Sequence, residues 1–332
     1  MKIVNFTLNF DPFLGDQRER NFWELLYPLG GSFIILSLRL FLVKFIFTRV
    51  GVWCGLEKVT PKKPAPNPAL EKAYSKSKKW SEREILGLSK QIDVDYTKVN
   101  EWFKLRAAQD KPSVSDKFGN SCWEFFYFTG ACTWGFLVLK DKPWLVDFNQ
   151  CWTDHYNQTV PDDVWWYFML CFSFIGGQLL GLALDIPRKD YYVMVVHHLV
   201  GILSLLIGWT TYFYKFSTLF VLVSDTCNVF LEATKICKYL NLRKLSILVF
   251  VLFTLVWVSI RGVIHIFLLK SITLDAPKYL PAVRSNVLYY IFIFCGLGFG
   301  LMNLMWTYFL VKVIANFCKT GAMEDARSDV DD

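Results

Sequence analysis

The sequence predicts an all-α fold: a polytopic transmembrane helical bundle of about seven spans, with a small cytosolic helical segment set into it. Hydrophobic residues make up 54% and aromatics 17% of the 332 residues, more apolar surface than a soluble fold of this size usually buries. Charge is segregated, gathering between residues 55 and 120 and in the final tail, so that long apolar tracts remain elsewhere. A crossing helix needs about 20 mainly apolar residues. Seven windows fit, near 30–49, 121–139, 164–184, 193–213, 217–237, 246–268 and 287–313.

The order along the chain follows from these tracts. Residues 1–50 read as a lumenal N-terminus and a first anchor. The first window lies behind the mixed-charge run Asp16 to Arg20 and lacks a small-residue cleavage site, so it is expected to be retained rather than removed as a signal peptide. It carries Arg39 and Lys44, which makes it weak by hydropathy. Residues 51–118 form the cytosolic segment. A Pro-rich linker, Pro61 to Pro68, leads into three helical patterns near 68–78, 81–90 and 95–109. Ser81 followed by Glu84 reads as a capping box. Residues 119–316 hold the main transmembrane domain, and 317–332 form an acidic cytosolic tail.

Orientation is read from Lys and Arg, which concentrate in 51–120, 185–192, 238–245 and 312–332 and are sparse in 1–29, 140–163, 214–216 and 269–286. The positive-inside rule then puts the N-terminus in the lumen and the C-terminus in the cytosol. The sequons at Asn5 and Asn157 both fall on the lumenal side in that arrangement and are candidate glycosylation sites. The net charge of +7 fits basic membrane flanks. The nine cysteines show no CxxC pair and no His/Cys cluster at zinc spacing, so the sequence predicts neither a metal site nor a bound cofactor.

Ionisable groups inside apolar windows are costly and point to function. Two sets stand out. His197 and His198 lie a few residues into the fourth window, after Arg188, Lys189 and Asp190. Asp225, Asn228, Glu232 and Lys235 occupy the fifth at spacings of three, four and three, which puts them on one helix face. Such a stripe must face protein or a water-filled cavity. An imidazole on one helix and a carboxylate on its neighbour suit acyl transfer, as general base or as nucleophile. The same residues also serve as interhelical hydrogen-bond glue in many bundles. His265, in the sixth window, reads as a satisfied packing histidine. Arg261, one turn before it, reads either as a snorkelling cation or as a holder of phosphate or carboxylate.

Trp102, Phe103 and Arg106 in the third cytosolic helix resemble a homeodomain recognition helix. Leu105 stands where a homeodomain carries its adenine-reading Asn, which argues against nucleic acid as a partner. The run from Asp185 to His198 (DIPRKDYYVMVVHH) and that from Ser224 to Lys235 (SDTCNVFLEATK) resemble the TLC-domain signatures of ceramide synthases. Asn67 to Lys72, Gly87 to Gln91 and Trp102 to Pro112 resemble the Hox-like segment of the animal enzymes. Lys142 to Trp144, Gln150 to Trp152, Arg261 and Trp306 to Tyr308 fit the same pattern, and the likeness runs from about residue 20 to about 318.

The resemblance implies N-acylation of sphinganine or sphingosine by acyl-CoA in the endoplasmic reticulum membrane, a step of sphingolipid biosynthesis. It implies that His197 and His198 are the essential pair and that Asp225 is the first Asp of the family's H-D-x-x-D pattern. His197 is then nearest the acyl carbon, through an acyl-imidazole or by deprotonating the amine, with His198 and Asp225 orienting it. Asn228 is expected to position substrate, and Arg261 to bind it. Arg188, Lys189 and the basic residues near Lys111 and Lys117 are candidates for the CoA end, or else simple positive-inside flanks. The loop from Lys270 to Ser285 corresponds to the region that influences acyl-chain choice. Related synthases imply homo- or heterodimers, and similar acidic tails imply phosphorylation at Ser328. Three positions depart from the family: Ser224 and Asn303 replace His, and Asn228 replaces the second Asp, keeping shape but losing charge. Loss of that charge makes a lipid-binding protein without catalysis the alternative reading, followed by a membrane-tethered DNA-binding regulator.

Overall fold

The computed structural model describes residues 22–56, 62–78, 80–110, 113–155, 159–184 and 190–320. Among these, the long helices are α1 (Trp23–Trp53), α2 (Pro68–Lys76), α3 (Glu82–Gln91), α4 (Tyr96–Asp110), α5 (Val114–Leu139), α6 (Asp162–Leu182), α7 (Tyr191–Thr210), α8 (Tyr214–Tyr239), α9 (Arg243–Tyr279) and α10 (Val287–Thr320). The described residues contain no strand. The chain divides into two compact units, 1–43 with 121–332, and 44–120.

Six of these helices, α1 and α6 to α10, are long and apolar enough to cross a membrane, so the protein is a multi-pass membrane protein. The sequence led us to expect seven. The window at 121–139 is helical, within α5, but Trp123, Glu124, Tyr127, Thr129 and Trp134 dilute its apolar content. Trp123, Tyr127 and Phe128 are buried against protein. The outward faces of the six are apolar and exposed, as at Phe294 (75%) and Leu301 (69%) of α10, which suits lipid rather than water as their neighbour.

Close approach sets the packing of α1 on α6. A Cβ at Gly31 would stand 2.8 Å from Cβ of Ser173, and one at Gly176 would collide with the Ser32 hydroxyl. Small residues at both positions let the two backbones meet, as in other membrane helix pairs. At one end of the larger unit, the loop between α5 and α6 folds back through two short 3₁₀ turns, Pro143–Leu145 and Phe148–Cys151. Trp152 Nε1 donates to Ser271 Oγ at 2.9 Å, Tyr289 Oη donates to the Ile272 carbonyl at 2.9 Å, and Lys215 Nζ donates to the Thr153 carbonyl. These bonds fasten α8, α9 and α10 to one aromatic core around Trp152, Phe213, Phe216 and Phe292. Burial there pushes the Cys151 thiol up to about 12, which leaves it a packing residue. None of the nine cysteines forms a disulfide.

The smaller unit is built from local signals. Asn67 caps α2, accepting from the Ala69 and Leu70 amides with Pro68 in the first turn. Ser81 and Glu84 form the capping box of α3. Leu70, Tyr74, Ile85, Val99, Trp102 and Phe103 form its core. Arg106 is committed internally: it pairs with Glu71 at 3.0 Å and Asp110 at 2.7 Å and lies over the Tyr74 ring. A basic residue spent in this way is not available to a phosphate backbone.

Candidate active site in the transmembrane unit

The site forms where α7, α8, α9 and α10 converge. His197 and His198 project from α7, half-buried, with ring centroids 5.3 Å apart. Two rings of α10 close on His197 edge to face, Phe299 at 5.3 Å and Trp306 at 5.1 Å. Nδ1 of His197 and Nε1 of Trp306 are buried without a hydrogen-bond partner. A buried polar atom left unpaired is costly and calls for an explanation.

Arg261 holds the neighbouring helices together. It lies in a π-helical stretch of α9, Val258–Ile264, an irregularity that recurs at functional sites. Its Nη1 donates to Asn303 Oδ1 of α10 at 3.2 Å, its Nη2 donates to the Ser224 carbonyl of α8 at 3.1 Å, and the guanidinium sits 5.4 Å from the Trp257 ring. Two of its nitrogens are spent between helices, while Nε is buried and unpaired.

Asp225 has Arg261, Glu124 and Asn228 as its polar neighbours, whereas His197 has His198 and Arg261. No hydrogen bond joins either imidazole to Asp225, so the expected imidazole–carboxylate dyad is not formed directly; Arg261 interacts electrostatically with both His197 and Asp225. The polar stripe of α8 also divides. Glu232 is buried and pairs with Lys235 at 2.6 Å, apart from Asp225 and Asn228. Glu124 of α5 accepts from Gln178 of α6 at 2.8 Å. This pair was passed over in the sequence, although an acid within an apolar window is the signal that should reveal it.

Beyond Phe299 lies a narrow apolar cavity between α6, α7, α8, α9 and α10, walled by residues such as Leu205, Phe216, Phe220, Leu268 and Phe292. His265 also lines it. That histidine is buried and interacts with the Gly296 backbone, although its Nε2 has no well-formed hydrogen bond. The face of α10 at Phe299, Asn303 and Trp306 follows helical spacing, and the polar Asn303 in an apolar helix was its legible mark. Lys117 is exposed on α5. Arg188, Lys189, Lys111, Asn5, Asn157 and Ser328 lie outside the described residues. Among the described residues no group of three or more His, Cys, Asp or Glu is placed to hold a metal ion.

Comparison with known proteins bears on this arrangement. The TLC domain family (TRAM_LAG1_CLN8) matches residues 117–312. The chain is 30% identical to ceramide synthase 3 of Mus musculus over 303 residues, covering 90% of this chain and 77% of the relative. The chain belongs to the ceramide synthase family. Human ceramide synthase 5 is 28% identical over 308 residues, covering 92% of this chain and 77% of its own length. For human ceramide synthase 4 the identity is 26% over 313 residues, with 93% and 78% covered. As a family member the protein is an acyltransferase, and His197, Arg261, Asn303 and the cavity all lie within the matched domain.

Proposed function

We propose that this protein is a working ceramide synthase, which moves a fatty acyl group from acyl-CoA to the amine of sphinganine or sphingosine in the endoplasmic reticulum membrane. One observation carries the reading: His197 is held by Phe299 and Trp306 with its Nδ1 unpartnered, at the wall that Phe299 shares with an apolar cavity. An acyl chain suits that cavity, and the thioester carbonyl would then lie beside the imidazole. Most ligand sites are apolar clefts with a few placed polar groups.

The imidazole of His197 has two routes to product. It attacks the thioester carbon, expelling the CoA thiolate and forming an acyl-imidazole that the amine then opens; or it takes the proton from the amine as the amine attacks the thioester. His198 braces the ring. Arg261, with Asp225 and Asn228 behind it, supplies fixed positive charge beside the carbonyl oxygen as that oxygen becomes anionic. The polyanionic CoA stays at the cytosolic mouth, for which Arg188 and Lys189 are the candidates. Labelled acyl-CoA supplied without sphingoid base separates the routes, since only the first leaves label on His197.

The alternative reading, a TLC-domain protein that binds lipid without turning it over, draws on the missing bond between Asp225 and either imidazole. Ceramide formation in membranes expressing the chain decides between them. No product from the parent, with product from Asn228→Asp, would favour lipid binding. Lumenal glycosylation at Asn5 and Asn157, phosphorylation at Ser328 and pairing with related synthases accompany the proposal. Endoglycosidase shifts, phosphatase shifts and co-purification of differently tagged copies test them in turn, and an unchanged mobility or an absent second tag removes each.

A further inference from the structure

Acyl transfer to a sphingoid amine leaves a proton behind. An alkylamine is an ammonium at neutral pH. As the amide N–C bond forms and the thioester C–S bond breaks, that nitrogen sheds two protons. One goes to the CoA thiolate and the other is surplus. An excess charge is costly to hold inside a membrane bundle, so the surplus proton needs a route out.

Polar groups of α1, α5, α6 and α8 supply one. Both carboxylate oxygens of Glu124 on α5 accept from Gln178 Nε2 on α6, at 2.9 and 2.8 Å. Buried Arg39 of α1 lies one turn from Gln178, where a Cβ at Gly181 would collide with its guanidinium. Glu124 interacts electrostatically with Arg39, with Glu232 and Lys235 of α8, and with Asp225 two turns before Glu232. It therefore couples the two halves into which the α8 stripe divides. Buried Glu232 pairs with Lys235, whose side chain is 25% exposed, and the exposed Lys238, Arg243 and Lys244 follow. Asp225 and Lys235 are ten residues apart, about 15 Å along the helix axis.

Tyr127, one turn after Glu124 on α5, is an independent sign. Its ring stacks on Phe174 and is only 8% exposed, yet its Oη has no hydrogen-bond partner. That hydroxyl interacts electrostatically with both Asp225 and Glu124. A ring needed only for packing would do better as phenylalanine, without an unpaired hydroxyl, whereas a phenol both donates and accepts. We infer that Asp225, Tyr127, Glu124 and Glu232 form a path that carries the surplus proton of acylation from the amine to the basic end of α8. The inference rests on the ceramide synthase reading for the origin of that proton. Glu124 suits the task because its hydrogen-bond partner is a neutral amide, so taking up a proton there breaks no ion pair. Ionisable chains of this kind serve as proton relays in other membrane proteins.

The test measures ceramide formation from sphinganine and acyl-CoA between about pH 6 and 8.5 in membranes expressing the full chain, at matched levels of the parent, Tyr127→Phe and Glu124→Gln. Both substitutions keep the shape of the side chain and remove its capacity to relay a proton. Each should lower kcat by about tenfold or more at the acid end and leave KM for both substrates within about twofold. The deficit should shrink as pH rises, because hydroxide and buffer base then take the proton without the path. Glu124→Asp should restore most of the rate. Parent-like rates in both variants overturn the inference and leave the synthase reading intact. A deficit equal at every pH, or a change confined to KM, does the same, since it marks a structural role. Where Glu124→Gln does not fold, Tyr127→Phe, which keeps the stacked ring, decides alone. A parent that forms no ceramide fails the synthase reading and takes the proton path with it.

Discussion

The guanidinium of Arg261 donates to the side-chain oxygen of Asn303 at 3.2 Å. The same guanidinium reaches the carbonyl of Ser224, so one arginine ties α9 to both α8 and α10. A charged donor in a membrane bundle must keep its acceptors.

Asn303→Leu removes an acceptor from a half-buried charge and should lower stability by about 1–3 kcal/mol, with ceramide formation falling alongside. Asn303→Asp restores an acceptor and should recover the melting temperature in detergent. Equal melting of the leucine variant and the parent would show that the bond contributes nothing.

The α1–α6 contact makes a steric prediction. Gly31→Ala drives a methyl into Ser173 and should destabilise by about 1–3 kcal/mol, the usual range for overpacking. Ser173→Gly in the same chain should relieve most of it. Two losses that simply add would place the clash elsewhere.

The smaller unit should respond to acid. Lys78, through its hydrogen bond, and Arg106 hold the Asp110 carboxyl below its ordinary value of 3.8. A carboxyl depressed by folding contributes stability that is present in full above the unfolded pKa and lost as pH falls through the folded one. Pepsin cleavage within 62–110 of the intact protein should therefore rise as pH drops below about 4, and Asp110→Asn should flatten that dependence while raising cleavage at the upper end. Identical profiles would remove Asp110 from the account.

How much of this was legible from sequence differs between the two units. Ser81 and Glu84 announce a helix start by local chemistry, and the structure places α3 at that cap. The apolar windows likewise follow from composition, except at 121–139, where aromatics and Glu124 lower the hydropathy of a helix packed against protein. The site was legible only helix by helix. His197 and the α8 stripe are visible as polar residues in apolar tracts, but no pattern within one helix says which neighbour it meets. The rotation of α7 against α10, which brings Phe299 and Trp306 onto His197, depends on packing across about 100 residues of sequence. So does the position of Arg261, whose charge is felt by both His197 and Asp225.

The central claim is that His197 does the chemistry. The most direct measurement is ceramide formed from sphinganine and a panel of acyl-CoAs in membranes expressing the parent, His197→Ala and His198→Ala at matched protein levels. The account predicts product from the parent, a loss of at least about a hundredfold in His197→Ala, as expected for an acid–base or nucleophilic group, and a smaller loss in His198→Ala. Parent-level product from His197→Ala would contradict it.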